Sequence, residues 1–487
     1  MNDRNLNFKI HPFNIVFDLK IFLAVAALPF LATAVKYLFT GVINIGFTAE
    51  AVLAVFFAVF AVLRLKSIEF WIMGDIISVQ KGFFLKHKAK IPVSKLSAVT
   101  VKQAFWEIPF GSACVILNTE GKSLYNDNFR VRLYKRDAFR FLEHIYGTEM
   151  RPAVRFSAKT LLLSALLSSS AVSGLFIGVP FITRLGKLFG KAFSKAVLDG
   201  ISSFSKKFNT YFPPLFNILI LILLLAYGFA VLYTFVKALN FRLFAGKEYI
   251  EVRSGLFIRQ ITVFKTSAVT DITVEQTFLM YLVKRYMLSV GVASFDRKGD
   301  KKSILIPCAA YHRLNGAAFL NLPYFKQSGV ILRPLRSKSS FLRFIKVPLL
   351  LFAIISFAVL TAAAAVPYFE RFILFLGLPF LFAAVYLSFY FYYNYRYGKI
   401  SISDTVYVRA AHRAAFKEMY IPFENIGIIK LSRGIFARKK GSCNAKVSVN
   451  SKRANRIKVW HINYRSLKSG IFVQIGNNAE NCGNNNQ

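Results

Sequence analysis

Two kinds of hydrophobic pattern alternate along the chain. Long apolar runs come close to the roughly 20 residues that a helix needs to cross about 30 Å of hydrocarbon. Between them, apolar and polar residues alternate with a period of two, which is typical of strands. The six apolar runs form three pairs: Ile21 to Phe39 with Phe47 to Leu63, Leu161 to Ile182 with Leu215 to Leu239, and Val347 to Val366 with Phe372 to Tyr393. The pattern predicts three membrane hairpins, each followed by a strand-rich domain.

The change of pattern divides the chain into seven parts. The last part is rich in asparagine and lacks the apolar residues that would fold it. The predicted parts are an N-terminus with the first hairpin (1–63), a first domain (64–159), a second hairpin (160–239), a second domain (240–346), a third hairpin (347–393), a third domain (394–475) and a disordered tail (476–487).

Equal spacings in the strand-rich segments indicate an internal repeat. Gly82 and Gln103 are 21 residues apart, as are Gly255 and Gln276. Each glycine stands between an alternating strand and an aromatic or aliphatic pair. We therefore expect both glycines at hairpin positions with positive φ.

The third segment matches the first without a gap. Pro92 and Gly111 of the first correspond to Pro422 and Gly441 of the third. His412 stands where the hairpin glycine would be, so we expect a different turn there, longer by one residue. The predicted fold is thus an α+β membrane protein with six transmembrane helices in three hairpins, each followed by a small antiparallel β-barrel or sandwich.

A helix is expected at the end of each domain. In the first domain, Asp137 to Ile145 has apolar residues at helical spacing. A comparable helix is expected at Tyr311 to Leu320 in the second.

At these residues the chain resembles a family, the bacterial pleckstrin-homology-like membrane proteins grouped as domain of unknown function 304. Its three units resemble the long, YdbT-like members with three repeats. The shared pattern is a strand, Gly-aromatic, apolar-Pro and a strand with Gln, and here it consists of Val79, Gly82-Phe83, Ile91-Pro92 and Gln103. The second copy has Phe264-Lys265 in place of apolar-Pro, and the third has Arg433 in place of Gln. The resemblance implies a pleckstrin-homology-like (PH-like) split barrel with a C-terminal helix, and the family has no settled activity.

The charge of the chain predicts its orientation. Lys and Arg number 64 against 23 Asp and Glu, a formal net charge of +41, in a chain that is 55% hydrophobic. The basic residues are concentrated in 1–20, 64–159, 237–346 and 396–487, and positive loops are retained in the cytoplasm. We therefore expect a multi-pass protein of a bacterial inner or plasma membrane, with both termini and all three domains cytoplasmic.

One basic segment, 184–207, falls on the predicted outer side. Lys187, Lys191 and Lys195 repeat every four residues, and Phe189 and Phe193 lie on the opposite face of a helix. The pattern predicts an interfacial amphipathic helix. It leaves open whether the segment lies on the outer leaflet or packs on the helix bundle.

Basic clusters in the three domains are candidates for contact with an anionic leaflet, because each juxtamembrane Lys or Arg contributes about 1 kcal/mol there. The alternative is a solvated face that satisfies the positive-inside requirement alone. Nucleic acid is not expected, because the aromatic residues fall mainly in the membrane segments. The clusters are Lys86, Lys88 and Lys90, then Arg297, Lys298, Lys301 and Lys302, then Arg438, Lys439 and Lys440.

No sequence motif points to catalysis. The six histidines and four cysteines lack the spacing of metal ligands, and no nucleophile, phosphate-loop or dinucleotide motif occurs. We expect no enzyme activity, no catalytic residues, no metal and no cofactor.

The expected function is a non-catalytic membrane scaffold or sensor whose PH-like domains engage the anionic leaflet or partner proteins. The family's setting suggests envelope or membrane stress as the process. The alternative is a lipid or small-molecule conduit resembling a flippase, which would need a polar groove through the helices. Besides membrane lipids, the expected partners are a smaller membrane protein with one PH-like domain or a second copy of the chain.

Overall fold

The computed structural model describes residues 6–14, part of 52–82, 86–119, 129–147, 151–169, 214–246, 248–292, 303–311, 329–335, 338–365, 370–412, 415–450 and 456–484. The described residues between 52 and 66 are helical. The other α-helices are α1 (Lys135–Tyr146), α2 (Ala158–Ser168), α3 (Pro214–Ala238), α4 (Phe278–Leu282), α5 (Lys338–Ala365), α6 (Glu370–Tyr397), α7 (Ile435–Lys439) and α8 (Tyr464–Asn484).

Strands follow each helical region in groups. They are β1 (Leu6–Asn7), β2 (Glu69–Met73), β3 (Ile76–Lys81), β4 (His87–Pro92), β5 (Leu96–Gln103), β6 (Ser112–Thr119), β7 (Phe129–Tyr134), β8 (Arg151–Arg155), β9 (Arg242–Ala245), β10 (Tyr249–Ser254), β11 (Arg259–Lys265), β12 (Val269–Thr277), β13 (Tyr286–Val292), β14 (Ser303–Ala309), β15 (Ile331–Leu332), β16 (Lys399–Ser401), β17 (Thr405–His412), β18 (Ala415–Pro422), β19 (Ile426–Ser432), β20 (Ser442–Val449) and β21 (Arg456–Asn463).

These strands form four sheets. A four-stranded sheet has the order β1-β2-β3-β4, and a three-stranded sheet has the order β19-β20-β21. Two seven-stranded sheets have the orders β7-β6-β5-β11-β10-β9-β8 and β14-β13-β12-β18-β17-β16-β15. In each seven-stranded sheet, a central antiparallel pair joins strands that are far apart in the chain, β5 with β11 and β12 with β18.

The chain folds into two compact units. Unit 1 comprises residues 1–154 and 242–268, and unit 2 comprises 155–241 and 269–487. The division falls between Ala268 and Val269, inside the second predicted domain (240–346). Because β11 pairs with β5 over six residues, the strands β9 to β11 belong to unit 1, whereas β12 to β14 belong to unit 2.

Unit 1 is built around a core of alternating strand residues and one helix. Phe70 of β2 and Phe141 of α1 are fully buried, with ring centroids 5.2 Å apart, and Phe8 packs on both. Helix α1 buries Ala138, Phe141, Leu142 and Tyr146 on one face. The helix predicted at Asp137 to Ile145 is therefore present.

The C-terminal helix of unit 2 corrects one prediction. Leu467 of α8 is fully buried in the core formed by β17 to β21. The helix continues to Asn484, so the disorder predicted for 476–487 is wrong for residues 476–484. Once its first turns are held by packing, each further residue adds a backbone hydrogen bond without a new nucleation step.

The second apolar pair begins differently from its prediction. The helix expected from Leu161 to Ile182 ends at Ser168, and Ser169 is extended. Leu161 and Ala165 are buried, and the Ser164 hydroxyl donates to the Pro307 carbonyl oxygen at 2.9 Å. Helix α2 thus packs on β14 along one face, and its 11 residues span about 16 Å, so a first crossing in this pair needs residues beyond Ser169, which lie outside the described residues.

The third apolar pair forms two long helices, α5 and α6. A Cβ on Gly377 of α6 would lie 2.7 Å from Cγ2 of Val359 in α5, so the absence of a side chain lets the helices approach closely. Within the described residues, one helical stretch, Pro348–Ala365, is long and apolar enough to cross a membrane. The first pair lies largely outside the described residues, as does the helix expected at Tyr311 to Leu320.

Three strand pairs share a local irregularity at matching positions. A bulge interrupts the register between Leu96 and Ala98, between Val269 and Asp271, and between Ile426 and Ile428. In each case a residue with positive φ follows 13 positions after the bulge. These residues are Gly111 (φ 66°), Lys284 (φ 54°) and Gly441 (φ 61°).

Candidate membrane-facing surface

The first glycine hairpin lies at the end of its sheet where the chain arrives from the described helical residues between 52 and 66. Glu69, at the start of β2, is opposite Gln80 of β3, and Lys81 pairs with His87 beyond it. Gly82 follows directly and has the predicted positive φ, 119°. Residues 83–85 at its tip lie outside the described residues.

The second glycine hairpin is tightly closed. Arg242, at the start of β9, is opposite Arg253, so the turn after Ser254 lies at the end where β9 begins. Gly255 has φ 100°, and a Cβ there would lie 1.8 Å from the Ile258 carbonyl oxygen. The turn therefore admits glycine alone without rearrangement.

The third hairpin is shorter than predicted. His412 pairs with Ala415, which leaves two connecting residues, so the expectation of a turn longer by one residue is wrong. This hairpin docks on the end of α6, because Tyr390 donates to the Ala411 carbonyl oxygen at 2.8 Å and the Ala411 amide donates to Asn394 Oδ1 at 2.9 Å. The two α6 side chains satisfy both backbone groups of Ala411.

The glutamines of the repeat have the same structural task. Gln103 Nε2 donates to the Ser112 carbonyl oxygen and Gln276 Nε2 to that of Arg285, both at 2.9 Å and both across nine residues. Each bond closes the segment that connects two strands. Arg433 stands at this position in the third set, where its guanidinium lies 4.1 Å from the Tyr464 ring centroid.

An exposed apolar surface is formed by two of these loops in unit 1. Arg259 is opposite Gln103, so the β10–β11 turn lies beside the segment that follows β5. The rings of Phe105 and Phe257 are in contact, with their centroids 5.5 Å apart, and the side chain of Trp106 is 54% exposed. We call this the aromatic surface, and its exposed members are Phe105, Trp106, Phe110, Leu256, Phe257 and Ile258.

Sequence reasoning missed this surface, although its signal was present. Phe105-Trp106 follows directly after Gln103, and Leu256-Phe257-Ile258 follows Gly255. The alternating pattern predicts a core face for the residues after Gly255, which is wrong because Leu256, Phe257 and Ile258 are exposed, and it assigns no role to Phe105-Trp106. The sequence does not show that β5 and β11 are neighbours, and only this pairing brings the two segments together.

The predicted basic clusters are only partly placed. Lys86, Lys88 and Lys90 are exposed, the last two on one face of β4. Arg438, Lys439 and Lys440 are exposed in and after α7. Outside the described residues lie Arg297, Lys298, Lys301 and Lys302 of the second cluster, and Lys187, Phe189, Lys191, Phe193 and Lys195 of the amphipathic segment.

The repeat prolines end strands at matching points. Pro92 ends β4 and Pro422 ends β18, each before a one-turn helix. The amide that follows each proline donates at 2.8 Å to the carbonyl oxygen of an acidic residue, Val93 to Asp75 and Phe423 to Asp404. A Cβ on Gly111 or Gly441 would meet no atom within 4 Å, so only their positive φ favours glycine.

A partly buried ion pair in unit 2 was also missed by sequence reasoning. Arg409 Nε lies 3.2 Å from Glu418 Oε1 and donates to the Tyr393 hydroxyl at 3.2 Å. Burial favours the neutral guanidine, but the Glu418 carboxylate together with Tyr393 and Tyr407 more than offsets this and raises the pKa of Arg409. Arg253 occupies the matching strand position in unit 1 and pairs with Glu251. Both arginines are engaged by a carboxylate, which favours a structural role.

The described cysteines are not arranged for chemistry. Cys114, Cys308 and Cys443 are free and buried, and burial raises the pKa of each thiol. Such thiols are less nucleophilic at neutral pH. The described residues contain no cluster of three or more His, Cys, Asp or Glu side chains that could hold a metal ion.

Comparison with known proteins identifies the family. The bacterial PH domain matches residues 19–150 and 195–316, together just over half of the chain. The chain belongs to the bacterial PH domain family. The two matches include β2 to β7 and β9 to β14, and the strands from β16 to β21 lie beyond them. Neither the curated proteins nor the solved structures contain a match.

Proposed function

We propose that this bacterial PH protein is a non-catalytic, multi-pass membrane scaffold or sensor that engages the anionic cytoplasmic leaflet of a bacterial inner or plasma membrane. The aromatic surface carries the proposal. Trp and Phe side chains are favourable at the membrane interface, where their rings leave water without losing all polar contact. Arg259, exposed directly after Ile258, is placed to approach anionic headgroups.

The proposal includes a third bacterial PH copy formed by β16 to β21 and α8. Two features support this copy, the bulge after Ile426 and the positive φ at Gly441. Both features also occur at the equivalent positions of the two matched regions. This organisation would make the chain one of the long members of the family, with three copies and six crossings.

Helices α5 and α6 favour the scaffold over the lipid or small-molecule conduit. A conduit needs polar groups that face a path between helices. In the described part of these helices, the Thr361 hydroxyl donates to the Phe357 carbonyl oxygen and the Ser388 hydroxyl to that of Ala384. Both hydroxyls are satisfied within their own helix.

The test of the aromatic surface uses the full chain in nanodiscs with bromine-labelled, partly anionic lipid. One variant keeps Trp106 as the single tryptophan, and a matched control keeps Trp71, which lies in the middle of β2. Bromine should quench Trp106 fluorescence more strongly than Trp71 fluorescence, and added salt should reduce the difference. Equal quenching of the two would contradict the proposal.

Reporter fusions test the proposed topology separately. Fusions after Gly147, Lys326 and Gln487 should read cytoplasmic, because the basic residues are concentrated in these segments. A fusion near Lys206 should read external. If it reads cytoplasmic, the second apolar pair does not cross twice and the six-crossing arrangement fails.

A further inference from the structure

In both seven-stranded sheets, two three- or four-stranded groups meet at a central strand pair, which we call the junction, and the two junctions have the same arrangement. In the first, Gln103 of β5 is opposite Arg259 of β11, and in the second, Gln276 of β12 is opposite Phe416 of β18. The two glutamines are equivalent, because each donates a hydrogen bond to the carbonyl oxygen nine residues further along the chain. Arg259 lies six residues before Lys265 at the end of β11, and Phe416 lies six residues before Pro422 at the end of β18, so the register of the two junctions is identical.

Among the described residues, one strand equivalent to β5 and β12 and one strand equivalent to β11 and β18 lie at the edge of a sheet instead of at a junction. Strand β19 is equivalent to β5 and β12 by its bulge, and it ends the three-stranded sheet. Strand β4 is equivalent to β11 and β18, and it ends the four-stranded sheet. Within the described residues, β19 and β4 are therefore the two junction-type strands without a partner strand on their outer side.

Strand β19 is exposed where its equivalents are buried. Ile428 is 65% exposed, whereas Ala98 and Asp271 at the same position are at most 1% exposed. Ile429 and Leu431 on the other face are half-buried, whereas the equivalent residues of β5 and β12 are buried. An apolar strand edge of this kind is a template for a further strand.

Strand β4 is protected against such pairing. Lys88 and Lys90 are exposed on it, at the positions where β11 has Ile261 and Val263. Val263 is buried in the core of unit 1, and at these positions β18 has Glu418, which is paired with Arg409, and the buried Tyr420, so neither internal junction has a lysine there. Edge lysines oppose pairing because their ammonium groups would lose water on docking.

We propose that the β19 edge docks the three-stranded N-terminal half of a bacterial PH domain from a different protein chain. The occupant has apolar residues at the positions of Lys88 and Lys90, and it pairs in the register of the two internal junctions. A second copy of this chain is disfavoured, since its lysines would lie against Ile429 and Leu431. The inference rests on the proposed third copy and deepens the scaffold function.

The experiment uses two differently tagged full-length chains and disulfide formation as its readout. Phe264 is opposite Ala98 inside unit 1, so Ile91 of a donor chain should be opposite Ile428 of an acceptor chain. The acceptor carries Ile428→Cys and the donor Ile91→Cys, both with Cys482→Ser. The probe donor also carries Lys88→Ile and Lys90→Val, which are the residues of β11, and a second probe carries threonine at both positions.

Three controls accompany the probe. Ala98→Cys with Phe264→Cys in a single chain reports whether this strand pair can close a disulfide. An acceptor with Lys430→Cys moves the thiol by two residues, to a diagonal distance that exceeds the reach of a disulfide. Maleimide resistance of buried Cys114 reports that each donor is folded.

The expected result is at least about tenfold more disulfide-linked pairs of the probe donor with the Ile428→Cys acceptor than with the Lys430→Cys acceptor, as a matched register requires. Equal linking to the two acceptors, with the internal control closed, would overturn the proposal. Equal linking by the donor with native Lys88 and Lys90 would also overturn it, because the occupant would then be a second copy. Neither result would change Trp106 quenching or the reporter readings.

Discussion

Replacing Gly255 with valine perturbs one backbone position at which two separate costs can be calculated. The residue has φ 100°, a conformation that β-branched side chains adopt only with strain. Its Cβ would also lie 1.8 Å from the Ile258 carbonyl oxygen, well inside the 3.0 Å that real Cβ atoms keep. The contact is with backbone, so the hairpin itself must open.

The two costs are similar in size. Backbone strain contributes about 1 to 3 kcal/mol, and the forced shift of packed atoms contributes about 1 to 3 kcal/mol. Gly255→Val should therefore lower the free energy of unfolding by about 2 to 6 kcal/mol. The matched control is Gly111→Ala, where φ is 66° but nothing lies within 4 Å of the Cβ, so about 1 to 2 kcal/mol is expected.

The assay is the apparent unfolding midpoint of the full chain in detergent, combined with hydrogen exchange. Because β11 pairs with β5, opening the Gly255 hairpin should speed exchange in β5 as well as in β10 and β11. Strands β17 to β21 should keep their protection. Equal effects of the two substitutions would refute the geometry at Gly255. Faster exchange confined to β10 and β11 would refute the shared sheet.

Other positions allow shorter tests with the same unfolding assay. Lys284→Gly should stabilise the chain by about 1 kcal/mol, because a lysine there holds a positive φ that glycine adopts freely; a lower midpoint would contradict this. Gln276→Met should cost about 1 to 3 kcal/mol, since the Arg285 carbonyl oxygen loses its donor; an unchanged midpoint would show that this bond is dispensable. Glu418→Gln should cost about 3 to 5 kcal/mol by leaving Arg409 without its carboxylate, whereas adding Arg409→Met should recover part of the loss; equal loss in the double variant would exclude the ion pair as the cause.

Local features of the chain were accessible to sequence reasoning. The positive φ of Gly82 and Gly255 followed from the alternating pattern around them, and α1 followed from the helical spacing in its segment. Such features depend on neighbouring residues along the chain, so a periodicity or a glycine is sufficient to indicate them. The bacterial PH fold was predicted through the same local motifs.

The predictions were wrong where contacts between distant parts of the chain determine where a helix ends. Helix α2 ends at Ser168 although the apolar run continues, and at this end the Thr277 hydroxyl donates to the Leu167 carbonyl oxygen from a distant strand. Residues 476–484 are polar, yet they extend a helix that Leu467 anchors in the core. In both cases tertiary packing overrides the composition of the segment.

The sequence by itself determined the types of element, the equal spacings in the strand-rich segments, the hairpin glycines and the basic character of the segments between apolar runs. Only the tertiary structure decided that β11 pairs with β5 and β18 with β12, so that strands of the second set are divided between two units. Backbone hydrogen bonds between strand edges are alike for every strand, and side-chain alternation specifies the face of a strand rather than its neighbour. The aromatic surface and the exposed β19 edge follow from that choice of neighbours, and both are therefore properties of the folded chain.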